Sequence, residues 1–556
     1  MGFDRVWHQW YPQGTPPEVA IESVTMPEVL ERTARDFPDN IAFIYMGTKI
    51  TYRQFNRLVN IFANALQGLG VTKGDKVGML LPNIPQLVIA NCAVYKLGAV
   101  TVMNNPLYTE RELLHQLKDS ETTTLVTLDL LLPRVLKIKA QTRIKTVITC
   151  HINDYLPFPV KQLFPLVKKA MYRKDAPHEG VLPFMQLMAR YPDTPVASKA
   201  VWDETAALLY TGGTTGVSKG AELTHANISS VVQQFSAWFP DLPYGAPERL
   251  LGIYPIFHSA GYSVSQNLLI WNGWTGVMIP RPEPAVITKM LKKFKPTFLP
   301  GVPTIYVGLL AHEPFRKLDL SHVKGYFGGA APLAEDTLNQ LQDLYGAIIH
   351  DVYGATENTA FATCTPWHGQ VKIGTVGIPL PNTDMKLVDL ETGEDITEPD
   401  REGEICIRGP QVMKGYYNKP DETAEVLKDG WLYLGDVGRM DADGYLSIVD
   451  RKKDMIVAGG YNIYPKEVDE VLMGHEKVLE ACTVGVPDPY RGETVKAYVV
   501  PVPGLEPTEA EIRGYCREVL AAYKVPQEIV VIQELPKTAV GKIMRKDVRK
   551  MALDQT

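Results

Sequence analysis

Residues Leu208 to Gly220, LLYTGGTTGVSKG, concentrate side chains that suit a polyphosphate. Gly212, Gly213 and Gly216 let the backbone turn tightly and bring its N–H groups close to an anion; Thr211, Thr214 and Thr215 add uncharged donors, and Lys219 adds a mobile positive charge. The spacing is not the G-x-x-x-x-G-K-[ST] of a P-loop, because Gly216 is followed by Val217, Ser218 and Lys219, and Lys219 by Gly220. Taken alone, such a loop reads more readily as a surface turn. Three other places carry chemistry of a matching kind. Glu357 stands in a loop after an apolar run, where a carboxylate suits Mg²⁺ bearing phosphate oxygens. Asp436, in GWLYLGDVG, reads as a turn residue able to accept from ribose hydroxyls, with Arg451 to assist at the end of YLSIVD. Lys542, in PKTAVGKIMRK, is a lysine on a glycine-flanked loop, able to carry charge to a transition state. Singly, each reads more readily as a solvated surface group.

These residues need strands and helices to bring them together. From Met26 onward amphipathic helices alternate with short apolar strands: MPEVLERTARDFP, the hairpin IAFIYMG/KITY, TYRQFNRLVNIFANALQGLG, KVGMLL and IPQLVIANCAVYKLG. This rhythm predicts a doubly wound α/β subdomain over about residues 1–200 and a second over 201–373. The loops at 211–219, 256–261, 328–332 and 354–357 all follow predicted strands, and in such sheets ligands sit beyond the carboxyl ends. Between 374 and 451 the helical period gives way to short strands and acidic turns, predicting a small β-barrel or sandwich. Residues 452–556 return to a mixed pattern and predict a small α+β domain.

With 556 residues the chain exceeds one core, and its composition, 45% apolar and 22% charged, is that of a globular protein. A net charge of −6 argues against nucleic acid as a partner. The six cysteines are scattered without metal-ligand or disulfide spacing, and MGFDRVWHQWYPQG carries no export signal, so a cytoplasmic location is expected. Residues 155–180 interleave Leu163, Phe164, Leu166, Val167, Ala170 and Met171 with Lys161, Lys168, Lys169, Arg173 and Lys174. That segment suits either weak peripheral contact with an anionic membrane or, more ordinarily, a helix packed on the body with a solvated lysine face.

The motifs YTGGTTGVSKGAELTHANI, YPIFHSAG, YFGGAAPL, DVYGATE, GWLYLGDVGRMDADGYLSIVDRKKDMIVAGGYNIYPKEVDEVL and PKTAVGKIMRKDV occur in an order that resembles the AMP-forming acyl-CoA synthetase, nonribosomal adenylation and luciferase superfamily over nearly the whole chain. The resemblance implies a large N-terminal adenylation domain, 1–451, and a mobile C-terminal domain, 452–556. It implies that Thr211, Gly212, Gly213, Thr214, Thr215, Gly216 and Lys219 grip the ATP phosphates; that Gly328, Gly329, Ala330, Asp351, Tyr353 and Gly354 line the adenine; that Thr356 lies by the α-phosphate; and that Glu357 holds Mg²⁺. Asp436 and Arg451 would hold ribose, Lys452 would be the hinge, and Lys542 would bridge carboxylate and α-phosphate with Thr215. Gly459, Gly460 and Tyr461 would line the route for CoA. His258 would stand at the carboxylate entrance, with Tyr262, Val264, Val302, Ile305, Gly328 and Phe361 along the acyl group. Leu434 departs from the family's usual Thr-Gly-Asp and puts a supporting hydrogen bond in doubt.

The activity implied is ATP-dependent formation of an acyl-adenylate followed by transfer to CoA. The expected substrate is a fatty acid, or alternatively a benzoate-like or alicyclic acid for which Trp271 and Trp274 would shorten the pocket. A carrier-protein-loading adenylation enzyme and a luciferase-like oxygenase share the ATP residues, and a non-enzymatic lipid-binding protein is the alternative outside catalysis. The other expectation is a homodimer.

Overall fold

The structure, a computed structural model of the chain, describes residues 5–174, 178–211, 218–329, 333, 335–458, 461–489, 491–538 and 541–554, with the backbone alone at 461 and 462. Two large sheets form the body. One has nine strands, running from the edge strand Thr48–Thr51 through Ile41–Tyr45, Thr275–Met278, Arg249–Gly252, Phe298–Pro300 and Gly325–Gly328 to Ile349–Tyr353, Thr363–Cys364 and Ile378–Pro379. The other has eight, from Gly415–Tyr416 through Gly220–Thr224, Thr205–Tyr210, Val100–Met103, Lys76–Leu80, Thr124–Leu128 and Thr146–Cys150 to Val181–Pro183. Strand order departs from chain order: the first hairpin completes the nine-stranded sheet through the parallel pair Phe43↔Gly276. The eight-stranded sheet takes Thr205–Tyr210 beside Val100–Met103.

Every residue of helix Pro85–Lys96 is buried, as its nearly unbroken apolar sequence demands of an element covered on all sides. Helices on its flanks start at side-chain caps. Thr51 Oγ1 accepts from Gln54 N at 3.2 Å, and Thr224 Oγ1 from Asn227 N at 3.1 Å, each worth about 1 kcal/mol. The glycine-rich loop does not run straight into a helix: Gly220–Thr224 first forms a strand antiparallel to Thr205–Tyr210, so the loop closes a hairpin, with Thr211 N donating to Lys219 O at 2.9 Å.

Residues 384–451 form a five-stranded antiparallel sheet whose pairing order does not close into the expected barrel. The same region holds the helix Pro420–Val426, which sequence periodicity missed because it has no buried face; its proline and Asp421 in the first turn are ordinary helix-start signals. Asp436 lies within the continuous strand Trp431–Met440, not in a turn; Gly435, at φ 67°, is what resembled one. Leu434 packs against the main core, which accounts for an apolar residue there.

The C-terminal unit is a separate α+β domain with its own core, built on the strands Val478–Asp488 and Gly492–Pro501. All six cysteines of the chain are buried and none forms a disulfide. Among the described residues no helix is long and apolar enough to cross a membrane.

Arg545 opens the last helix, Arg545–Leu553, and reaches three carboxylates: Asp469 at 2.5 Å, and Asp450 and Asp454 each at 3.6 Å. Its Nε also donates to Thr483 O at 3.1 Å. Breaking such a cluster leaves buried carboxylates uncompensated, so Arg545→Met is expected to destabilise the C-terminal unit by about 3–5 kcal/mol. Amide exchange along Val478–Asp488 and Gly492–Pro501 should accelerate while the two large sheets keep their protection; unchanged exchange would remove this role for Arg545.

Candidate active site

Glu357 is held by a loop that folds back on itself. Gly354 stands where a Cβ would lie 2.1 Å from Ala360 O, so only glycine admits the return. Ala360 N donates to Ala355 O at 2.9 Å and Ala355 N to Asn358 Oδ1 at 2.5 Å. Thr359 and Ala360 take φ of 56° and 88°, a left-handed stretch that costs a β-branched residue on the order of 1–3 kcal/mol and persists only where the surroundings enforce it. Here Thr359 Oγ1 donates to Gln411 O at 2.7 Å and Ser263 Oγ to Thr359 O at 2.9 Å. Strain of this kind beside a carboxylate is a mark of a functional loop.

The Glu357 carboxylate accepts from Tyr416 OH at 2.7 Å, and the Lys219 ammonium lies 5.0 Å from the centre of the same ring. Tyr416 therefore joins the end of the glycine-rich hairpin to Glu357. It reaches this place because Gly415–Tyr416 pairs with Gly220–Thr224, a long-range contact with no local signal. The second Glu357 oxygen has no hydrogen-bond partner among the described residues. It is a hard oxygen donor free for a divalent cation, and a single carboxylate suits Mg²⁺, which keeps waters and phosphate oxygens around it.

Asp436 and Arg451 face each other across adjacent strands and pair at 2.6 Å, while Tyr353 OH donates to the other Asp436 oxygen at 2.6 Å. Burial works against the Arg451 charge, but Asp436, Tyr353 and Glu357 outweigh it and raise its pKa. Asp351, one strand position from the cavity-lining Val352, lies over Gly328, where a Cβ would stand 2.3 Å from its Oδ1. Burial pushes the Asp351 carboxyl up to about 7. Gly329 is packed closely enough that a Cβ would touch Val352 at 3.0 Å. Thr356 opens the short helical turn that carries Glu357.

Lys542 comes from the C-terminal unit. Gly541, at φ 77°, sits so close to the body that a Cβ would stand 2.4 Å from Thr304 Oγ1. Lys542 remains open to solvent but stands in a crevice, where surrounding protein and then the Arg451 charge lower its pKa. Lys453 is lowered by the protein packed around it and by Arg451, though its side chain is exposed. His258 faces the same crevice and is pushed down to about 4, by burial and by Lys542, so its imidazole is neutral at pH 7. Lys452 is tied to the body, its ammonium 2.8 Å from Glu404 and its N–H donating to Gly435 O at 3.0 Å.

The structure thus links Lys219, Tyr416 and Glu357, links Tyr353, Asp436 and Arg451, and sets Lys542 near Arg451, Asp436 and His258, while Gly354 and Thr356 lie on the Glu357 loop and Asp351 on the strand before it. Gly212, Gly213, Thr214, Thr215, Gly216, Ala330, Gly459 and Gly460 lie outside the described residues, and of Tyr461 only the backbone, in strand Tyr461–Ile463, is described. A narrow apolar cavity runs off beside Val352, walled by Phe235, Val264, Trp274, Phe298 and Phe361 among others. Phe361 stacks on Phe235 at 4.7 Å and Trp274 on Phe298 at 5.1 Å. Val264 and Phe361 are on its wall; Tyr262, Val302, Ile305 and Gly328 are not. Tyr262 is instead buried against Tyr95, and Ile305 packs on a second core. Trp271 stands under Arg32 at 4.7 Å, away from this cavity.

A fold with two α/β sheets, a strained carboxylate loop and a lysine brought in by a separate domain is that of an adenylate-forming enzyme. Residues 30–417 match the AMP-binding enzyme family and 467–542 the AMP-binding enzyme C-terminal domain. The chain is 41% identical over 549 residues to a long-chain-fatty-acid–CoA ligase of Bacillus subtilis, covering 98% of each. It superposes on ATP-bound MatB from Rhodopseudomonas palustris with a TM-score of 0.85 at 27% identity, covering 96% of this chain and 100% of that one. Against apo MatB of the same organism, also at 27% identity and the same coverage, the TM-score is 0.73. The chain belongs to the AMP-binding enzyme family. Its activity is that of an AMP-forming acid–thiol ligase, with ATP and CoA as substrates.

Asp351 gives a test of the site's electrostatics. Its folded pKa, about 7, lies above the ordinary 3.8. The native state therefore binds this proton more tightly than the unfolded chain, and stability is lost as pH rises from about 4 to 7. Asp351→Asn is expected to be more stable than the parent at pH 8, by on the order of 1–3 kcal/mol, and no more stable near pH 4. Thermal unfolding at the two pH values checks this.

Proposed function

We propose that the chain joins a long-chain fatty acid to CoA through an acyl-adenylate formed from ATP with Mg²⁺. The observation that carries this reading is the convergence of the Tyr353–Asp436–Arg451 contacts with Lys542, whose pKa is lowered, on the strand whose Val352 lines an apolar cavity. Cations whose charge is disfavoured by their surroundings gain most from a polyanion, so the crevice favours triphosphate and carboxylate together. The relative's printed name supports a long-chain fatty acid. A second reading, a ring acid, is favoured by the aromatic cavity wall and by 34% identity to a feruloyl-CoA synthase of Amycolatopsis, covering 93% of this chain and 97% of that one.

In the first step a carboxylate oxygen bonds to the α-phosphorus of ATP and the bond to pyrophosphate breaks. Lys542 lies between the two anions and lowers their repulsion, Asp436 and Arg451 fix the ribose, Tyr353 orients Asp436, and Thr211 to Lys219 grip the β- and γ-phosphates. Glu357 would hold Mg²⁺, which neutralises phosphate charge when bound. Neutral His258 adds no charge to compete with Lys542 for the carboxylate. In the second step residues 452–556 turn about Lys452, Lys542 withdraws, and Gly459, Gly460 and Tyr461 line the approach of CoA. The CoA sulfur bonds to the acyl carbon, AMP departs, and the thiol proton is released. A cytoplasmic setting is supported by six buried cysteines, none of them in a disulfide.

Pyrophosphate release from ATP, followed across saturated acids of increasing length and across ring acids, tests the substrate. Long saturated acids should be fastest; faster benzoate-like acids would transfer the assignment to the second reading. Lys542→Ala should slow pyrophosphate release by roughly 10²–10³-fold, while acyl transfer from supplied acyl-adenylate to CoA changes only a few-fold. Equal losses in both halves would show that Lys542 does not act specifically in adenylation.

A further inference from the structure

The segment Tyr155 to Lys174 is turned inside out relative to an ordinary surface helix. Its helix Val160–Val167 directs only Phe164 into the body. Phe158 is 82% exposed, Val160 47%, Leu163 50%, Leu166 67% and Val167 73%. Such a run of large apolar side chains in water is the mark of a surface that something covers. The helix is firmly seated: Asn153 Nδ2 donates to Lys161 O at 3.0 Å and Lys161 Nζ to Asp154 O at 2.9 Å. Thr48 Oγ1 donates to Tyr155 O at 2.7 Å, so the turn carrying Met46, 43% exposed, extends the same apolar face.

The charge of the segment is as one-sided as its hydrophobicity. Residues 155–174 contain Lys161, Lys168, Lys169, Arg173 and Lys174 and no acidic residue before Asp175, in a chain of net charge −6. Lys168, Lys169, Arg173 and Lys174 are exposed and form no ion pair with a described residue.

We propose that this face docks on an anionic lipid surface. Phe158, Leu163, Leu166 and Val167 enter the boundary between headgroups and acyl chains, and the four basic side chains meet the headgroups. A lipid surface offers an apolar layer beneath a plane of negative charge, the combination displayed here. A second copy would bring the same unpaired positive charges against themselves across a two-fold interface, which opposes self-association through this face. The segment lies at the far edges of the two sheets. Thr146–Cys150 and Val181–Pro183 end the eight-stranded sheet opposite Gly220–Thr224, and Thr48–Thr51 ends the nine-stranded sheet opposite Ile349–Tyr353. Docking at these edges leaves the crevice and the C-terminal unit uncovered. The inference rests on this surface alone and is independent of the ligase reading.

Flotation of the full chain with vesicles of phosphatidylcholine, with and without phosphatidylglycerol, tests it. The parent is expected to float with the anionic vesicles at low salt, to be released by high salt, and to ignore phosphatidylcholine alone. The double variant Lys168→Glu/Lys169→Glu should partition at least tenfold more weakly, following roughly fivefold per basic residue near such a surface. Leu166→Asp/Val167→Asp should lose the vesicles as well. Wild-type pyrophosphate release with a short, water-soluble acid shows that each variant is folded. The proposal falls if the parent does not float with anionic vesicles or if both variants bind them as the parent does. It falls equally if size-exclusion shows the variants splitting a dimer of the parent while vesicle binding is untouched, which would make this a self-association face.

Discussion

Arg545 is the junction on which the active arrangement depends. One guanidinium answers Asp450 and Asp454, at the end of the body's last strand and just beyond it, and Asp469, on the first helix of the C-terminal unit. Its backbone is three residues from Lys542. Burying these groups is expensive unless each finds its partner, so the cluster favours one arrangement of strand end, helix and lysine loop over looser ones. Asp469 is raised to about 6 by burial even with the arginine against it, a sign of how dry the junction is. Lys542 reaches its place because this junction sets where its loop ends, and Gly541 lets that loop lie against Thr304.

On the other side of the crevice the organising constraint is backbone conformation. The Gly354–Ala360 return, held in a left-handed stretch by Gln411 and Ser263, aims Glu357 at Tyr416. Tyr416 connects that loop to the hairpin bearing Lys219. One phenol thus relates the Glu357 carboxylate to the Lys219 ammonium, while Lys542 arrives from the smaller domain.

The helices of the body were legible through different signals: caps at Thr51 and Thr224, and for Pro85–Lys96 an opening proline and a nearly unbroken apolar run. The family was legible through motif order rather than local pattern. What escaped had a physical reason in each case. GAELT is too short to display alternation and precedes a strong cap, so the return strand of the hairpin was hidden. Gly435 reads as a turn but is a glycine inside a strand, which moves Asp436 into register with Arg451. Tyr416 and Glu357 are 59 residues apart and meet through strand pairing alone. No residue type announces that Thr359 and Ala360 adopt positive φ. The apolar cavity is walled by residues from many elements: Val264 and Phe361 line it, while Val302 and Ile305 are not among its lining residues.

The buried cysteines bear on the fate of a reactive product. An acyl-adenylate is a mixed anhydride that will acylate any thiolate within reach, the enzyme's own included. Burial raises the thiols of Cys92, Cys364, Cys406, Cys482 and Cys516, the last to about 11. A thiol with a raised pKa is protonated at neutral pH and a poor nucleophile. The interior therefore offers these sulfurs no chance to compete with the incoming cosubstrate. Protection from self-acylation comes from packing the protein's own sulfur into its cores and leaving the reaction to a thiol that arrives from solvent.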